Sequence, residues 1–264
     1  MKPEKLIYDR QDGVAVITMD DPKTLNAMDE QMAEELLFAF REAEGDPSVR
    51  TVVLRGSQKA FSAGGDISWF YEMIESGKEI DMSKALSTAA RLTVHMKKMS
   101  KMVITSVCGA AAGAGVSLAL SGDFMICADN AKFLLAFVNL GLAPDTGATY
   151  LLSKSIGAAR TMELAATGRP FYAEDALQWG LAHQVVPKGE LDETTMNFAK
   201  KLASGPLVSY KNIKKQIYGA NYSDYESWLE EVEFPTQLDC AASADFQEGC
   251  RAFVEKRKAA FRGK

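Results

Sequence analysis

The sequence predicts an α/β fold that ends in a helical region. Apolar runs of strand length alternate with segments of helical periodicity up to about Pro187, and beyond that point the periodicity is almost purely helical. Hydrophobic residues make up 47% of the chain and charged residues 25%, as in ordinary soluble domains.

The first elements are two strands, a helix and a third strand. Leu6–Tyr8 and Val14–Met19 are apolar stretches between Asp and Gly turn signals. Met28–Ala43 carries apolar residues every three or four positions and predicts an amphipathic helix. Thr51–Leu54 is continuously apolar but for its first residue, which indicates a buried strand.

The middle of the chain repeats this alternation. The block from Ile67 to Ser100 is helical in character, and the segment Lys78–Met82 is expected to interrupt it. The elements expected next are a strand at Met102–Val107, a helix from Val116 to Leu120, and strands near Phe124–Cys127 and Lys132–Leu135.

The C-terminal part predicts four helices, Glu190–Ala203, Pro206–Tyr218, Tyr222–Cys240 and Ala244–Ala259. Short helices need tertiary partners for their apolar faces, here including Phe234, Leu238, Phe246 and Phe253. They pack either on the chain's own core or across a subunit interface. The predicted division is a core over residues 1–190 and a helical oligomerisation region over 191–264.

Charge and cysteine content narrow the class of protein. The net charge of −5 and the pI near 5.3 argue against nucleic acid as a partner, although a few lysines could still hold a small phosphorylated ligand. The four cysteines have no CxxC or metal spacing, which indicates free thiols in a reducing cytoplasm. Neither a targeting segment nor a membrane-spanning run is predicted.

Two glycine-rich turns can present backbone amides to a ligand. Ala112 to Gly115 has minimal side chains and precedes an apolar helix, so its amides lie at the positive end of the helix dipole. The loop Phe61 to Asp66 also lies between a strand and a helix, where Gly65 can expose its N–H. The alternative for this loop is a tight turn in which Asp66 caps the next helix.

Asp145 is an acid in apolar surroundings, because it follows Leu140-Gly-Leu-Ala-Pro144. A carboxylate there can serve proton transfer beside a carbonyl whose oxygen is held by the two amides. Desolvation by Phe137, Leu140 and Leu142 would raise its pKa. The alternative is that Asp145 caps a helix beginning near Thr146.

Three segments together resemble the crotonase superfamily, also called the enoyl-CoA hydratase/isomerase family. They are Lys59-Ala-Phe-Ser-Ala-Gly-Gly-Asp66, Cys108 to Thr149, and Gly168 to Pro187. The resemblance extends over essentially the whole chain. It implies a crotonase-like spiral of ββα turns with a C-terminal helical trimerisation region, assembled as a homotrimer or a dimer of trimers.

The resemblance also implies a chemistry. The oxyanion amides would belong to Gly65 and Ala114, and Asp145 matches the single aspartate of a subset of members. Ser117 and Phe137 stand where the hydratase branch carries two glutamates. These matches imply an isomerase of enoyl thioesters, on coenzyme A or acyl carrier protein, that shifts a double bond between positions 2 and 3 through a dienolate.

Three alternatives stay open. They are a hydratase, a ring-opening or ring-expanding isomerase that uses Asp145, and a non-catalytic acyl-CoA-binding protein.

By the same resemblance, other residues would bind the thioester. Lys23 and Lys59 would face phosphates, the backbone of Ala27 and Ala63 would line the pantetheine path, and Phe253 and Lys256 would touch the nucleotide of a neighbouring subunit. The remaining expected contacts are Ser62, Asp66, Ile67 and Phe137. No separate cofactor and no metal is expected; His95 and His183 are predicted to be structural or solvated.

Overall fold

Strands from both halves of the α/β region form a central six-stranded sheet. The structure is a computed structural model that describes residues 3–57, 59–78 and 80–263. The strands of this sheet are β1 Leu6–Gln11, β2 Val14–Met19, β3 Thr51–Gly56, β5 Met102–Val107, β7 Phe124–Ala128 and β10 Gln184–Val186. They lie in the order β1-β2-β3-β5-β7-β10, in which β1 is antiparallel to β2 and the other pairs are parallel.

A smaller sheet consists of four short strands, β4 Ala60–Ser62, β6 Ala110–Ala112, β8 Lys132–Leu134 and β9 Phe171–Tyr172. They lie in the order β4-β6-β8-β9. Each of β3, β5 and β7 in the large sheet is followed directly by a strand of the small sheet, and this alternation produces the spiral of ββα turns that the family resemblance implies.

The helices of the core are α1 Glu30–Gly45, α2 Ile67–Glu75, α3 Ser83–Lys98, α4 Ala114–Leu120, α5 Ala148–Ile156, α6 Ala158–Thr167 and α7 Ala173–Gln178. Those up to α4 agree with the sequence prediction except at their ends, whereas α6 and α7 were not predicted. The predicted interruption of the block from Ile67 to Ser100 is confirmed, because α2 ends at Glu75 and α3 begins at Ser83. Single-turn 3₁₀ helices occupy Ala136–Leu140 and Lys188–Glu190.

The C-terminal region is helical, as predicted, but one predicted helix is broken. Its elements are α8 Leu191–Ala203, α9 Leu207–Asn221, α10 Tyr225–Trp228, a π-helical turn Leu229–Glu233, α11 Phe234–Ala241 and α12 Ala244–Val254. The single helix expected over Tyr222–Cys240 contains Pro235, which has no N–H to donate to the preceding turn and whose ring clashes with it. The widened turn before Pro235 accommodates that defect.

The C-terminal helices pack partly on the chain's own core. Phe246 of α12 is completely buried, and its ring meets that of Phe70 on α2 edge to face with centroids 5.5 Å apart. Phe234 is half-buried against the same core. Leu238 and Phe253 stay 39% and 59% exposed, so for these two side chains the subunit-interface alternative stays a prediction, as does the division at residue 190.

The described helices include none that is long and apolar enough to cross a membrane.

The Phe246 contact yields a stability prediction. Phe246→Ala should lower the free energy of unfolding by about 3–5 kcal/mol, because the fully buried ring leaves a cavity between α12 and α2. Phe261→Ala, at a ring that is 44% exposed, is the matched control and should change it by less than about 0.5 kcal/mol. Denaturant unfolding followed by circular dichroism measures both, and equal effects of the two substitutions would contradict the packing described.

Candidate active site

The two glycine-rich turns lie side by side because the strands before them are paired. β4 and β6 are parallel neighbours, with Ala60 opposite Ala110 and Ser62 opposite Ala111. Their carboxyl ends therefore meet at one edge of the small sheet. Gly64 has φ +90°, and a Cβ there would lie 2.8 Å from the carbonyl oxygen of Ala112. Only glycine permits this close approach.

Two backbone amides are left without partners at this edge. Gly65 follows β4, and Ala114 is the first residue of α4. Among the described residues, neither the Gly65 N–H nor the Ala114 N–H has a hydrogen-bond acceptor. Ala114 is nevertheless 6% exposed. Buried amides are nearly always paired. Because Ala114 is buried and Gly65 is half-buried, these two N–H groups are suited to bind an oxygen of a ligand.

A cavity of about 470 Å³ opens in front of these amides, a volume typical of small-molecule sites. Gly65, Ala114 and Asp145 all line it. Much of its wall is apolar, and those residues are Met28, Ala63, Ile67, Trp69, Phe70, Met82, Ala85, Leu86, Ala89, Ala136, Phe137, Leu140 and Leu142.

Asp145 is tied to the helix that carries Ala114. Ser117, on the first turn of α4, donates its hydroxyl to the Asp145 carbonyl oxygen at 3.0 Å. Ser117 is completely buried and does not reach the cavity wall. The same short helix therefore fixes both the Ala114 amide and the backbone of Asp145.

The Asp145 side chain accepts two hydrogen bonds. The Thr146 hydroxyl donates to Oδ1 at 2.8 Å, and the Gln237 amide Nε2 donates to Oδ2 at 3.1 Å. Burial raises the pKa of Asp145 to about 6, although both hydrogen bonds act to lower it. A carboxyl with this pKa can accept and return a proton near neutral pH.

The helix-capping alternative for Asp145 is wrong. Helix α5 begins at Ala148, and the Asp145 carboxylate does not accept from its amides. Instead, Glu233 from the distant π-helical turn accepts the Gly147 N–H with both oxygens, at 3.0 and 2.9 Å. An acid 86 residues away therefore satisfies this helix end.

The turn after Asp145 is strained. Thr146 has φ +58° and Gly147 has φ +86°. A β-branched residue at positive φ is costly and persists only when its surroundings hold it. A Cβ at Gly147 would overlap the Tyr225 hydroxyl, which is hydrogen-bonded to Thr93 of α3 at 3.0 Å. Helix α10 and Glu233 thus clamp this turn.

The other carboxylates on the cavity wall have structural partners. Asp66 caps α2 by accepting the Trp69 N–H at 3.1 Å, the capping role weighed from the sequence. Asp29 caps α1, and Asp81 accepts the Ser83 N–H. Glu30 and Glu34 form ion pairs with Lys84.

The structure brings some of the predicted binding residues to the cavity and leaves others away from it. Ala63, Asp66, Ile67 and Phe137 line it. Ser62 does not, because its completely buried hydroxyl bridges the Asn26 carbonyl and the Gly64 N–H. The others outside the cavity wall are Ala27, which is buried, and Lys23, Lys59, Phe253 and Lys256, which are exposed.

The two histidines lie away from the cavity. His95 Nε2 lies 3.3 Å from a Glu44 oxygen, and His183 is exposed on a loop.

Gln237, Glu233 and Tyr225 belong to the site but were not predicted from the sequence. Glu233 and Gln237 are polar residues four positions apart on a predicted helix, a spacing that puts them on one face but does not distinguish a buried face from a solvated one. Their partners Gly147 and Asp145 are distant along the chain.

Comparisons with known proteins identify the family of the chain. Residues 9–264 match the enoyl-CoA hydratase/isomerase family. The chain is 33% identical over 261 residues to the trans-2-decenoyl-[acyl-carrier-protein] isomerase of Streptococcus mutans, covering 99% of each chain. It is 36% identical over 253 residues to the 1,2-epoxyphenylacetyl-CoA isomerase of Escherichia coli, covering 96% of each.

A solved structure shares the fold. The crystal structure of an enoyl-CoA hydratase from Mycobacterium avium subsp. paratuberculosis superposes with a TM-score of 0.88 at 31% identity, covering 98% of both chains. The matched family spans the paired turns, the Asp145 segment and the C-terminal helices alike. The chain belongs to the enoyl-CoA hydratase/isomerase family.

Proposed function

We propose that this protein is an enoyl-thioester isomerase that moves a double bond between positions 2 and 3. The observation that carries the proposal is the pairing of one carboxyl, Asp145, whose pKa is raised to about 6, with two unpartnered amides, those of Gly65 and Ala114, in one apolar cavity. The relatives described as isomerases of thioester substrates support it.

The proposed reaction transfers one proton within the substrate. The Asp145 carboxylate removes a proton from C2 of a 3-enoyl thioester, and the C–H electron pair moves toward the thioester carbonyl to form a dienolate. The amides of Gly65 and Ala114 stabilise the negative charge on that oxygen. The Asp145 carboxyl then returns the proton to C4, which gives the 2-enoyl thioester. The balance requires no oxidant, reductant or water.

The residues around Asp145 disfavour hydration. Adding water to the double bond needs a second acid–base group beside the base to hold and activate that water. Phe137 supplies an aromatic ring at one of the two positions where hydratases carry glutamates, and Ser117 at the other is buried behind the cavity wall. The remaining wall carboxylates are engaged in helix caps, a turn or ion pairs with Lys84.

We infer that the carrier portion of the thioester approaches along the loops that hold Lys23 and Lys59. These loops are joined by backbone hydrogen bonds from Ala63 to Leu25 and from Met28 to Gly64. Both lysines are exposed beside this junction and can contact phosphate groups without desolvation. Phe253 and Lys256, exposed on and after α12, would contribute from a neighbouring subunit in an oligomer.

The first test is the product. Incubation with cis-3-enoyl thioesters on coenzyme A and on acyl carrier protein should give the conjugated trans-2 product, followed by ultraviolet absorbance and chromatography. Formation of 3-hydroxyacyl thioester from the trans-2 substrate should be barely detectable. Rapid hydration by the unmodified protein would contradict the isomerase assignment. The carrier whose thioester is isomerised with the higher kcat/KM is the natural one.

Removing the base should abolish the proton transfer. Asp145→Asn should lower kcat by ~10²-fold or more, because an amide keeps the shape but cannot carry the proton. KM should change by only a few-fold, since the cavity wall is unaltered. Asp81→Asn is the matched control, at a carboxylate on the same wall that accepts the Ser83 N–H and has no proposed role in the reaction. Near-normal turnover by Asp145→Asn would show that the base lies elsewhere.

The pH profile should report the Asp145 carboxyl. The base is active only when deprotonated, so kcat/KM should be half-maximal near pH 6, where Asp145 titrates. It should level off above about pH 7 and fall at low pH, approaching ~10-fold per pH unit. Initial rates at each pH, taken at substrate concentrations below and above KM, measure this acidic limb of the profile. A limb near the ordinary aspartate pKa of 3.8 would contradict the proposed desolvation of Asp145.

A further inference from the structure

Two buried polar side chains on the C-terminal helices face the Asp145 turn. Glu233 ends the π-helical turn, and Gln237 lies four residues later on α11, so both project from one face of the helix. Glu233 is 1% exposed and Gln237 is completely buried. Glu233 contacts Gly147, and Gln237 contacts Asp145.

One polar atom of the Gln237 side chain has no hydrogen-bond partner among the described residues. Its Nε2 donates to the Asp145 carboxylate at 3.1 Å, which sets the orientation of the amide. Its Oε1 is buried and has no donor within the described parts of the chain. A buried carbonyl oxygen almost always accepts a hydrogen bond. A donor is therefore expected near it.

The charges around Glu233 favour a neutral carboxyl. Burial and the negative charge of Asp145 raise the pKa of Glu233 to about 9. The backbone amides of Gly147 and Thr146 act in the opposite direction but do not outweigh them. Two nearby carboxyls in a desolvated site do not readily ionise together.

Among the described residues, the charged groups on the elements around this helix have other partners. Tyr225, on whose hydroxyl the charge of Glu233 acts, is itself held neutral by burial, which raises its pKa. On the adjoining helices, Arg91 of α3 bonds Ser87 and Thr88, Arg251 of α12 pairs with Glu75, and Asp245 of α12 accepts the Arg262 and Gly263 amides.

We propose that Glu233 is a positioning residue held as a neutral acid, whose O–H donates to Gln237 Oε1 while its other oxygen accepts the Gly147 N–H. The proposal rests on the proposed role of Asp145 as the base. It accounts for the unpartnered Oε1, for the proton that Glu233 must carry, and for the fixed direction of the amide. The resulting chain runs from Glu233 through Gln237 to Asp145.

This chain would do two things for Asp145. It leaves the negative charge of this buried carboxyl pair on Asp145, because a neutral Glu233 contributes none. It also fixes the carboxylate oxygens, since the Gln237 amide cannot rotate without losing both of its hydrogen bonds. A base that collects a proton at C2 and returns it at C4 depends on such a fixed orientation.

The kinetic test separates the proton of Glu233 from its bulk. Glu233→Ala should lower kcat by ~10-fold or more with KM within about two-fold, because the carboxylate loses its orientation while the cavity wall stays intact. Glu233→Gln should recover most of that loss and keep the acidic pH limb in place, since its amide donates to Oε1 and accepts from Gly147 as a neutral acid does. Thr236→Ala, at an exposed hydroxyl on the same helix that bonds only backbone carbonyls, is the control and should match the wild type.

A direct test does not depend on turnover. At about pH 8, where ordinary carboxyl groups are ionised, infrared difference spectra of wild type against Glu233→Gln should show the carbonyl stretch of one protonated carboxylic acid in the wild type. Absence of that band overturns the proposal. So does a Glu233→Gln variant as slow as Glu233→Ala, which would mean that Glu233 acts as an ionised helix cap.

The two tests also separate this proposal from the proposed function. The infrared band reports the proton of Glu233 whichever residue is the base. If the band is present but Asp145→Asn retains turnover, the proposed function fails while the neutral state of Glu233 stands. If Glu233→Ala does not fold, the Glu233→Gln spectrum and its pH profile still decide the outcome.

Discussion

The active site depends on one constraint: a carboxylate must be kept beside an apolar cavity. Burial raises the pKa of Asp145 to about 6, so the surroundings oppose the charge that its proposed role as a base requires. The fold offsets this cost with directed hydrogen bonds rather than with a cation. Thr146 and Gln237 bind the two carboxylate oxygens, and Ser117 binds the backbone carbonyl.

The C-terminal helices are therefore part of the site in this chain. Helix α11 supplies Gln237, and the turn before it supplies Glu233. Helix α12 packs so closely on the 3₁₀ turn before Asp145 that a Cβ at Gly249 would lie 2.6 Å from the backbone of Leu140. Pro235 forces the wide turn that ends at Glu233. The π-helical turn thus ends at Glu233, the acid that accepts the Gly147 N–H in the strained turn after Asp145.

The fold class and part of the site follow from local sequence signals, and the family resemblance supplies the rest. Val14–Met19 and Met102–Val107 form strands with the predicted ends because their apolar runs are long and bounded by turns. The composition of their segments pointed to the two glycine-rich turns and to Asp145, whereas the resemblance assigned the amides to Gly65 and Ala114. Strands β4 and β6 were missed, since three-residue segments rich in alanine have little strand propensity and are stabilised only by pairing. Glu233 and Gln237 were missed because their partners are 86 and 92 residues away.

The raised pKa also links the site to the stability of the whole protein. An aspartate that titrates at 3.8 when unfolded and at about 6 when folded binds more protons in the native state between these values. The free energy of unfolding therefore decreases as pH rises through that interval, and the full cost persists above it. A neutral Glu233 adds a cost of the same kind, because its pKa is raised to about 9 in the folded protein and the native state keeps a proton that the unfolded chain releases at neutral pH. That cost replaces the larger one of burying two neighbouring anions. Holding one carboxyl neutral thus lets the fold tolerate the charge on the other, which the proposed proton transfer requires.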